Sequence, residues 1–261
     1  ELAQQVQRGF LPQKAPELEK YALHHFYQPA DKVGGDYFDY IALPDGRVAV
    51  VLADVVGHGM AAALQTAQLS AALKFSLATK SCPAEAIRSL NETLSEDSLD
   101  DRFITLVMLV IHPDSDKITI VNAGHMPPIL RDGNGKISEP GEDESGLPIA
   151  IDEGMDYETV KLRVGPGDVM LMYTDGINEA MDADDIEFGI ERMRQIASDS
   201  SDGDRIKDRI VEAVQEHIGE TPPFDDMCLV SIRRIGHSGG SEHATDELPL
   251  PSPADTVERN K

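Results

Sequence analysis

Four short segments place an aspartate within three residues of a glycine, or beside a second aspartate, where an apolar run begins or ends. They are Gly34-Gly35-Asp36, Asp54-Val55-Val56-Gly57-His58-Gly59, Thr174-Asp175-Gly176 and Phe224-Asp225-Asp226. A carboxylate at the end of a buried strand is costly unless a cation or hydrogen bonds compensate its charge. Several such carboxylates brought together repel one another, and divalent cations relieve that repulsion.

The donor types favour a hard cation. Carboxylate oxygens without cysteine and without paired histidines are typical of Mg²⁺ or Mn²⁺ sites rather than Zn²⁺ sites. The only cysteines, Cys82 and Cys228, lie outside these segments and far apart in sequence. This excludes a disulfide framework and favours a reducing, cytoplasmic compartment.

Each aspartate taken alone has a simpler explanation. An aspartate before glycine commonly forms a turn or caps a helix. Asp54 could cap a helix that begins near residue 60, and Asp175 could cap a helical turn that reaches Glu179. His58 is either a general acid or a loop residue at a helix start. His125, in Asn122-Ala123-Gly124-His125, is expected to make structural hydrogen bonds.

The periodicity of the chain predicts the elements that must position these residues. Strands are predicted at 21–28, 36–43, 47–53, 103–111, 117–122, 155–164, 168–174 and 228–233. Helices are predicted at 1–11, 60–79, 83–94, 188–197 and 204–218. Turns at 44–46, 112–116 and 165–167 predict three strand pairs, and 131–146 is predicted to be loop. Antiparallel hairpins with helices in two blocks indicate an α+β fold.

The amino-acid composition disfavours some classes of binding partner. The 261 residues include 47 acidic and 23 basic side chains, a formal net charge of −24. Such a surface repels nucleic acid and anionic membranes, and no apolar run is long enough to span a membrane. We expect a linker helix in 1–16 that continues upstream, one domain over 17–235, and a disordered acidic tail over 236–261.

In this order, the motifs resemble those of the PPM-type metal-dependent Ser/Thr protein phosphatases. The quoted matches are Gly34-Gly35-Asp36-Tyr37-Phe38-Asp39, Asp54-Val55-Val56-Gly57-His58-Gly59, Asn122-Ala123-Gly124-His125, Tyr173-Thr174-Asp175-Gly176 and Asp225-Asp226-Met227. Gln7-Arg8-Gly9-Phe10-Leu11-Pro12 is similar to the lead-in of the bacterial SpoIIE/RsbU-like subgroup. The resemblance implies two antiparallel β-sheets in a sandwich flanked by α-helices.

The resemblance also implies a site with two Mn²⁺ or Mg²⁺ ions. Asp54 would bridge the ions and the carbonyl of Val55 would add a ligand. Asp175 and Asp225 would hold the metal on the other side, and Asp36 would act through a water molecule on the metal. Asp226 is the alternative to Asp225 as the first ligand.

The implied activity is hydrolysis of phosphoserine or phosphothreonine on a regulatory protein. By resemblance, the substrate is a STAS-type anti-sigma-factor antagonist in bacterial signalling, and a sensor or receiver domain lies upstream. The stripe of Leu2, Val6 and Phe10 predicts that helix 1–11 pairs with its twin in a homodimer. The alternative is a catalytically weak regulator with the same fold that binds its partner.

Overall fold

Two antiparallel sheets face each other across an apolar interior, and helices cover their outer faces. The computed structural model describes residues 4, 7, 9–57, 59–96, 103–200 and 202–236. The strands β1–β10 are Tyr21–Gln28, Asp36–Ala42, Val48–Val55, Ile104–Ile111, Lys117–Ala123, Ile129–Arg131, Ile137–Ser138, Val160–Arg163, Val169–Tyr173 and Met227–Arg234. The helices α1–α5 are Gly59–Thr79, Pro83–Glu96, Asp175–Asn178, Ile190–Asp199 and Ile206–Ile218, and a 3₁₀ turn covers Gly203–Arg205.

The first sheet has the strand order β1-β10-β9-β6-β7, and the second has β2-β3-β4-β5-β8. Helices α4 and α5 pack on the first sheet, and α1 and α2 pack on the second. The predicted α+β sandwich is therefore confirmed.

Strand β9 shows how the alternation of side chains builds the layers. Met170 and Met172 join the core between the sheets, whereas Val169, Leu171 and Tyr173 join the core beneath α4 and α5. All five side chains are buried. A strand covered on both faces needs apolar residues at every position, which explains its unbroken apolar run.

The strand pair predicted around residues 165–167 is wrong. Strand β8 pairs with β5 in the second sheet, whereas β9 pairs with β10 and β6 in the first. The turn itself bonds to both sheets: Val164 N donates to Asp116 O, and Gly167 N donates to Arg234 O, each over 2.8 Å. Gly165-Pro166-Gly167 therefore carries the chain from one sheet to the other.

The loop predicted over 131–146 is also wrong in part, because β6 and β7 form a short hairpin there. Strand β8 keeps only the last part of the predicted 155–164. The other predicted strands, and the helices from residue 60 onward, are confirmed with ends shifted by a few residues. Of helix 1–11, Gln4 and Gln7 are described as helical. Leu2, Val6 and the tail beyond Gly236 lie outside the described residues.

Candidate metal centre

Asp36 and Asp54 lie opposite each other on neighbouring strands of the second sheet. Asp36 begins β2, Asp54 lies next to the end of β3, and the two are paired in the antiparallel register. Directly opposed residues have Cβ atoms about 4.5–5.5 Å apart and share one face of the sheet. Asp36 is only 2% exposed. Asp54 lies within a strand and α1 begins at Gly59, so Asp54 does not occupy the capping position of that helix.

Asp175 and Asp225 come from the first sheet. Asp175 opens α3 directly after β9, and Asp225 precedes β10. Thr174 N donates to Cys228 O over 3.0 Å, which continues the β9–β10 pairing up to Asp175. A Cβ on Gly176 would lie 2.0 Å from the carbonyl oxygen of Asp226. Only glycine permits this approach, which explains why glycine follows Asp175.

Burial and neighbouring carboxylates raise the pKa of Asp36 and of Asp54. Burial, followed by the charges of Asp175, Asp225 and Asp226, raises the pKa of Asp54 to about 7. Burial, followed by the charge of Asp54, raises the pKa of Asp36 well above its ordinary value. Burial and the neighbouring charges disfavour the ionised form of these carboxylates. A bound divalent cation would offset the repulsion and stabilise the ionised form. Within the described residues, no three Asp, Glu, His or Cys side chains are grouped closely enough to hold an ion as they stand.

Asp226 differs from Asp225 in what it contacts. Its Oδ1 accepts from Ala30 N over 2.8 Å, and its Oδ2 accepts from Gly35 N over 2.6 Å and from Asp36 N over 3.4 Å. Burial raises the pKa of Asp226, and these backbone bonds oppose the rise. Asp226 is therefore a brace for the loop that leads into Asp36. Asp225 is exposed, and its Oδ1 accepts from Asp226 N over 2.7 Å.

Sequence reasoning missed the role of Thr174, which joins the two halves of the site. Its Oγ1 accepts from Cys228 N over 2.9 Å and donates to Asp36 Oδ2 over 2.6 Å. The side chain is fully buried. A hydroxyl that already accepts from an N–H directs its own hydrogen elsewhere, here to the carboxylate. Its place beside Asp175 in the quoted motif was the available signal.

His125 forms a second connection between the sheets. A carbonyl oxygen can only accept, so Nε2 donates to Tyr173 O over 3.0 Å, and Nδ1 accepts from Thr105 Oγ1 over 2.8 Å. Thr105 is the register partner of Asp54 on β4. Burial lowers the pKa of His125 to about 4, so the ring is neutral at pH 7. Asn122 exchanges two 2.9 Å bonds with the His125 backbone, so the structural role expected from the sequence is present.

Gln7 holds the loop before β2 from the N-terminal side. Its Nε2 donates to Gly34 O over 2.6 Å, and its Oε1 accepts from Gly34 N over 3.1 Å. The side chain is 5% exposed. A Cβ on Gly34 would lie 2.0 Å from Asp226 Oδ2. The same loop is thus held by Gln7 on one side and by Asp226 on the other.

Val55 ends β3, and its carbonyl oxygen lies against the loop before β2. A Cβ on Gly35 would lie 2.6 Å from Val55 O, and Val55 N donates to Gly35 O over 3.3 Å. His58, the candidate general acid, lies outside the described residues. Within the described ranges, no helix has the length and apolar character needed to cross a bilayer.

Comparison with known proteins identifies the family of the chain. The family model described as "Stage II sporulation protein E (SpoIIE)" matches residues 44–235. Protein IcfG of Synechocystis sp. is 26% identical over 265 residues, which cover 90% of this chain and 41% of that protein. Phosphoserine phosphatase RsbU of Bacillus subtilis is 26% identical over 179 residues, which cover 69% of this chain and 53% of that protein. The chain thus spans about half the length of these relatives.

A solved structure supports the fold. The SiaA-PP2C domain of Pseudomonas aeruginosa superposes with a TM-score of 0.76 at 22% identity, over 89% of this chain and 94% of that one. The matched family model covers β3 to β10, which carry Asp54, Asp175 and Asp225. The chain therefore belongs to the SpoIIE family and has the fold of a PP2C-type (PPM-type) phosphatase domain.

Proposed function

We propose that this chain is a Mn²⁺- or Mg²⁺-dependent phosphatase that hydrolyses phosphoserine or phosphothreonine on a regulatory protein. The observation that carries the proposal is the meeting of Asp36, Asp54, Asp175 and Asp225 from both sheets at one end of the sandwich. Like charges this close together are costly without a cation. The likeness to a phosphoserine phosphatase supports the same reaction.

In this proposal, Asp54, Asp175, Asp225 and the carbonyl of Val55 would hold two ions, and Asp36 would act through a water molecule on the metal. The ions supply charge neutralisation on the phosphoryl group and lower the pKa of an attacking water. Asp226 was the alternative first ligand. Its bonds to three backbone N–H groups favour Asp225 as the ligand and Asp226 as the brace.

The chain's own residues hold the acidic groups in place, and a water molecule is the nucleophile in this proposal. Thr174 fixes the orientation of Asp36. His125 links Thr105, the register partner of Asp54 on β4, to Tyr173, which ends β9 two residues before Asp175. A cysteine nucleophile is not available at this end of the sandwich. Burial raises the pKa of the Cys228 thiol well above its ordinary value, so the thiolate is disfavoured.

The finer assignments are part of the same proposal. Residues 17–235 form the catalytic domain, the substrate is a STAS-type regulatory protein, and an upstream sensor or receiver domain acts through residues 1–16. The N-terminal helix pairs two copies of the chain. The free thiols of Cys82 and Cys228 support a cytoplasmic location.

Phosphate release from a phosphoserine peptide tests the activity, measured with Mn²⁺ and with EDTA. The wild-type protein should require the metal, and Asp175→Asn should lower the rate ~100-fold or more because it removes a ligand charge and little volume. Asp143→Asn, an exposed carboxylate outside the site, is the matched control and should keep the wild-type rate. An Asp175→Asn rate within a few-fold of wild type would contradict the assigned site. Partner binding without turnover would favour the regulator instead.

A further inference from the structure

A small pocket adjoins the candidate metal centre on the side of the first sheet. It shares Asp175 and Asp225 with the centre. The rest of its wall is mostly apolar and comes from the end of α3, the end of α5 and the loop before β10. The apolar side chains are those of Ala180, Met181, Ile218, Pro222, Pro223, Phe224 and Met227. We call this site the side pocket.

Phe224 stands out in this wall because the residue is 88% exposed. It directly precedes Asp225, so the ring lies beside a candidate ligand. Pro222 and Pro223 fix the backbone just before it, and Thr221 N donates to Ile218 O over 3.0 Å. The loop is thus stiff, and a partner that covers the ring loses little conformational entropy in ordering it.

The rim of the side pocket is acidic. Glu179 lines it, and burial together with the charges of Asp175, Glu187 and Asp225 raises the pKa of Glu179. An acidic side chain that entered here would meet like charges from several directions. The rim therefore disfavours an acidic side chain, and the apolar wall favours an apolar one.

We propose that the side pocket is a specificity subsite for an apolar side chain next to the phosphoserine of the protein substrate. This inference rests on the proposed function. One extended residue spans about 3.3–3.6 Å. When a phosphate lies at the carboxylates, a side chain one or two residues away reaches a pocket that shares two of those carboxylates. Because the side pocket shares Asp175 and Asp225 with the candidate metal centre, we infer that its occupant is a residue next to the phosphoserine in the substrate.

Matched phosphoserine peptides test the subsite. They differ only in the residues flanking the phosphoserine, which are leucine, alanine or aspartate. For each variant, kcat/KM for each peptide is divided by that variant's kcat/KM for p-nitrophenyl phosphate, which has no flanking residues. We expect wild type to prefer leucine over alanine by ~10-fold, as for other apolar pockets, and to disfavour aspartate further.

Two variants of Phe224 and one control complete the design. Phe224→Ala should remove most of the leucine preference, and Phe224→Tyr should keep it because the ring is retained. Phe75→Ala is the control: Phe75 is 69% exposed on α1, 16 residues after the start of that helix, or about 24 Å along it. It should leave the preference unchanged.

Two results would overturn the subsite. They are equal rates for all peptides and an unchanged preference in Phe224→Ala. An unchanged preference accompanied by a change in sedimentation of the variant would assign the ring to contact between copies. Absence of metal-dependent hydrolysis of every substrate by wild type would instead overturn the proposed function, and the subsite with it.

Discussion

Removing the charge of Asp54 should change how the stability of the metal-free protein depends on pH. The native-state pKa of Asp54 is about 7, against an ordinary value of 3.8. Between these values, native Asp54 holds a proton that the unfolded chain has released, so raising the pH favours unfolding. Its stabilising contribution is complete below about pH 4 and is lost as the pH rises through 7.

The magnitude follows from the width of that window. From pH 5 towards pH 7 the free energy of unfolding falls by about 1.4 kcal/mol per pH unit, and this slope halves at pH 7, so the loss is about 2.3 kcal/mol. His125 acts in the opposite direction. Burial lowers its pKa from 6.5 to about 4, so the unfolded chain binds the extra proton and stability rises with pH over that range. Between pH 4 and pH 6.5 the contributions of Asp54 and His125 to the slope of wild type therefore oppose each other.

The comparison with Asp54→Asn isolates the carboxylate, because His125 contributes equally to both proteins. Urea unfolding in EDTA should show the variant gaining about 3 kcal/mol on wild type between pH 5 and pH 8. Saturating Mn²⁺ should stabilise wild type and do so more at pH 8, since ligands bind metal when deprotonated. A difference between the two proteins that stays flat with pH in EDTA would refute the repulsive cluster.

Three further substitutions probe the residues that hold the centre. Thr174→Val should lower the unfolding free energy in urea by about 2–3 kcal/mol because the buried Cys228 N–H loses its acceptor, whereas Thr174→Ser should stay within about 1 kcal/mol of wild type. His125→Gln should reduce the loss of stability between pH 6.5 and 4 in the same titrations, since the neutral ring no longer has to be protonated; an unchanged acid slope would argue against a buried neutral ring. Gln7→Ala should weaken Mn²⁺ binding ~10-fold in calorimetry because the loop before β2 loses two bonds, and Gln4→Ala should not.

The sequence predicted structure best where the pattern of neighbouring residues alone determines a strand or a turn. Alternating or continuous apolar runs identified most strands, and Pro44-Asp45-Gly46 identified the β2–β3 turn. It failed at Gly165-Pro166-Gly167, because turn residues show that the chain changes direction without showing which sheet it enters. It also failed at β6 and β7, whose three and two residues are too short for a period of two to emerge.

Some residues of the candidate site could also be predicted from the sequence, and others could not. Aspartates at strand ends were recognisable because a buried charge there needs a partner. The roles of Thr174 and Gln7 were not, since each acts on a residue far away in sequence, Asp36 and Gly34 respectively. Asp225 and Asp226 could not be separated from sequence alone. The difference between them lies in the direction of each side chain and in the backbone groups around it.

The position of β10 between β1 and β9 affects how the protein is made on the ribosome. Tyr21–Gln28 emerges early, yet its partner in the sheet is Met227–Arg234, near the end of the described chain. At about 5–20 residues per second, translation leaves β1 without that partner for ~10 seconds or longer. Asp225 also emerges just ahead of β10. A nascent chain therefore cannot assemble the metal centre until this last strand has been synthesised and inserted, and its unpaired β1 edge needs protection from aggregation in the interval.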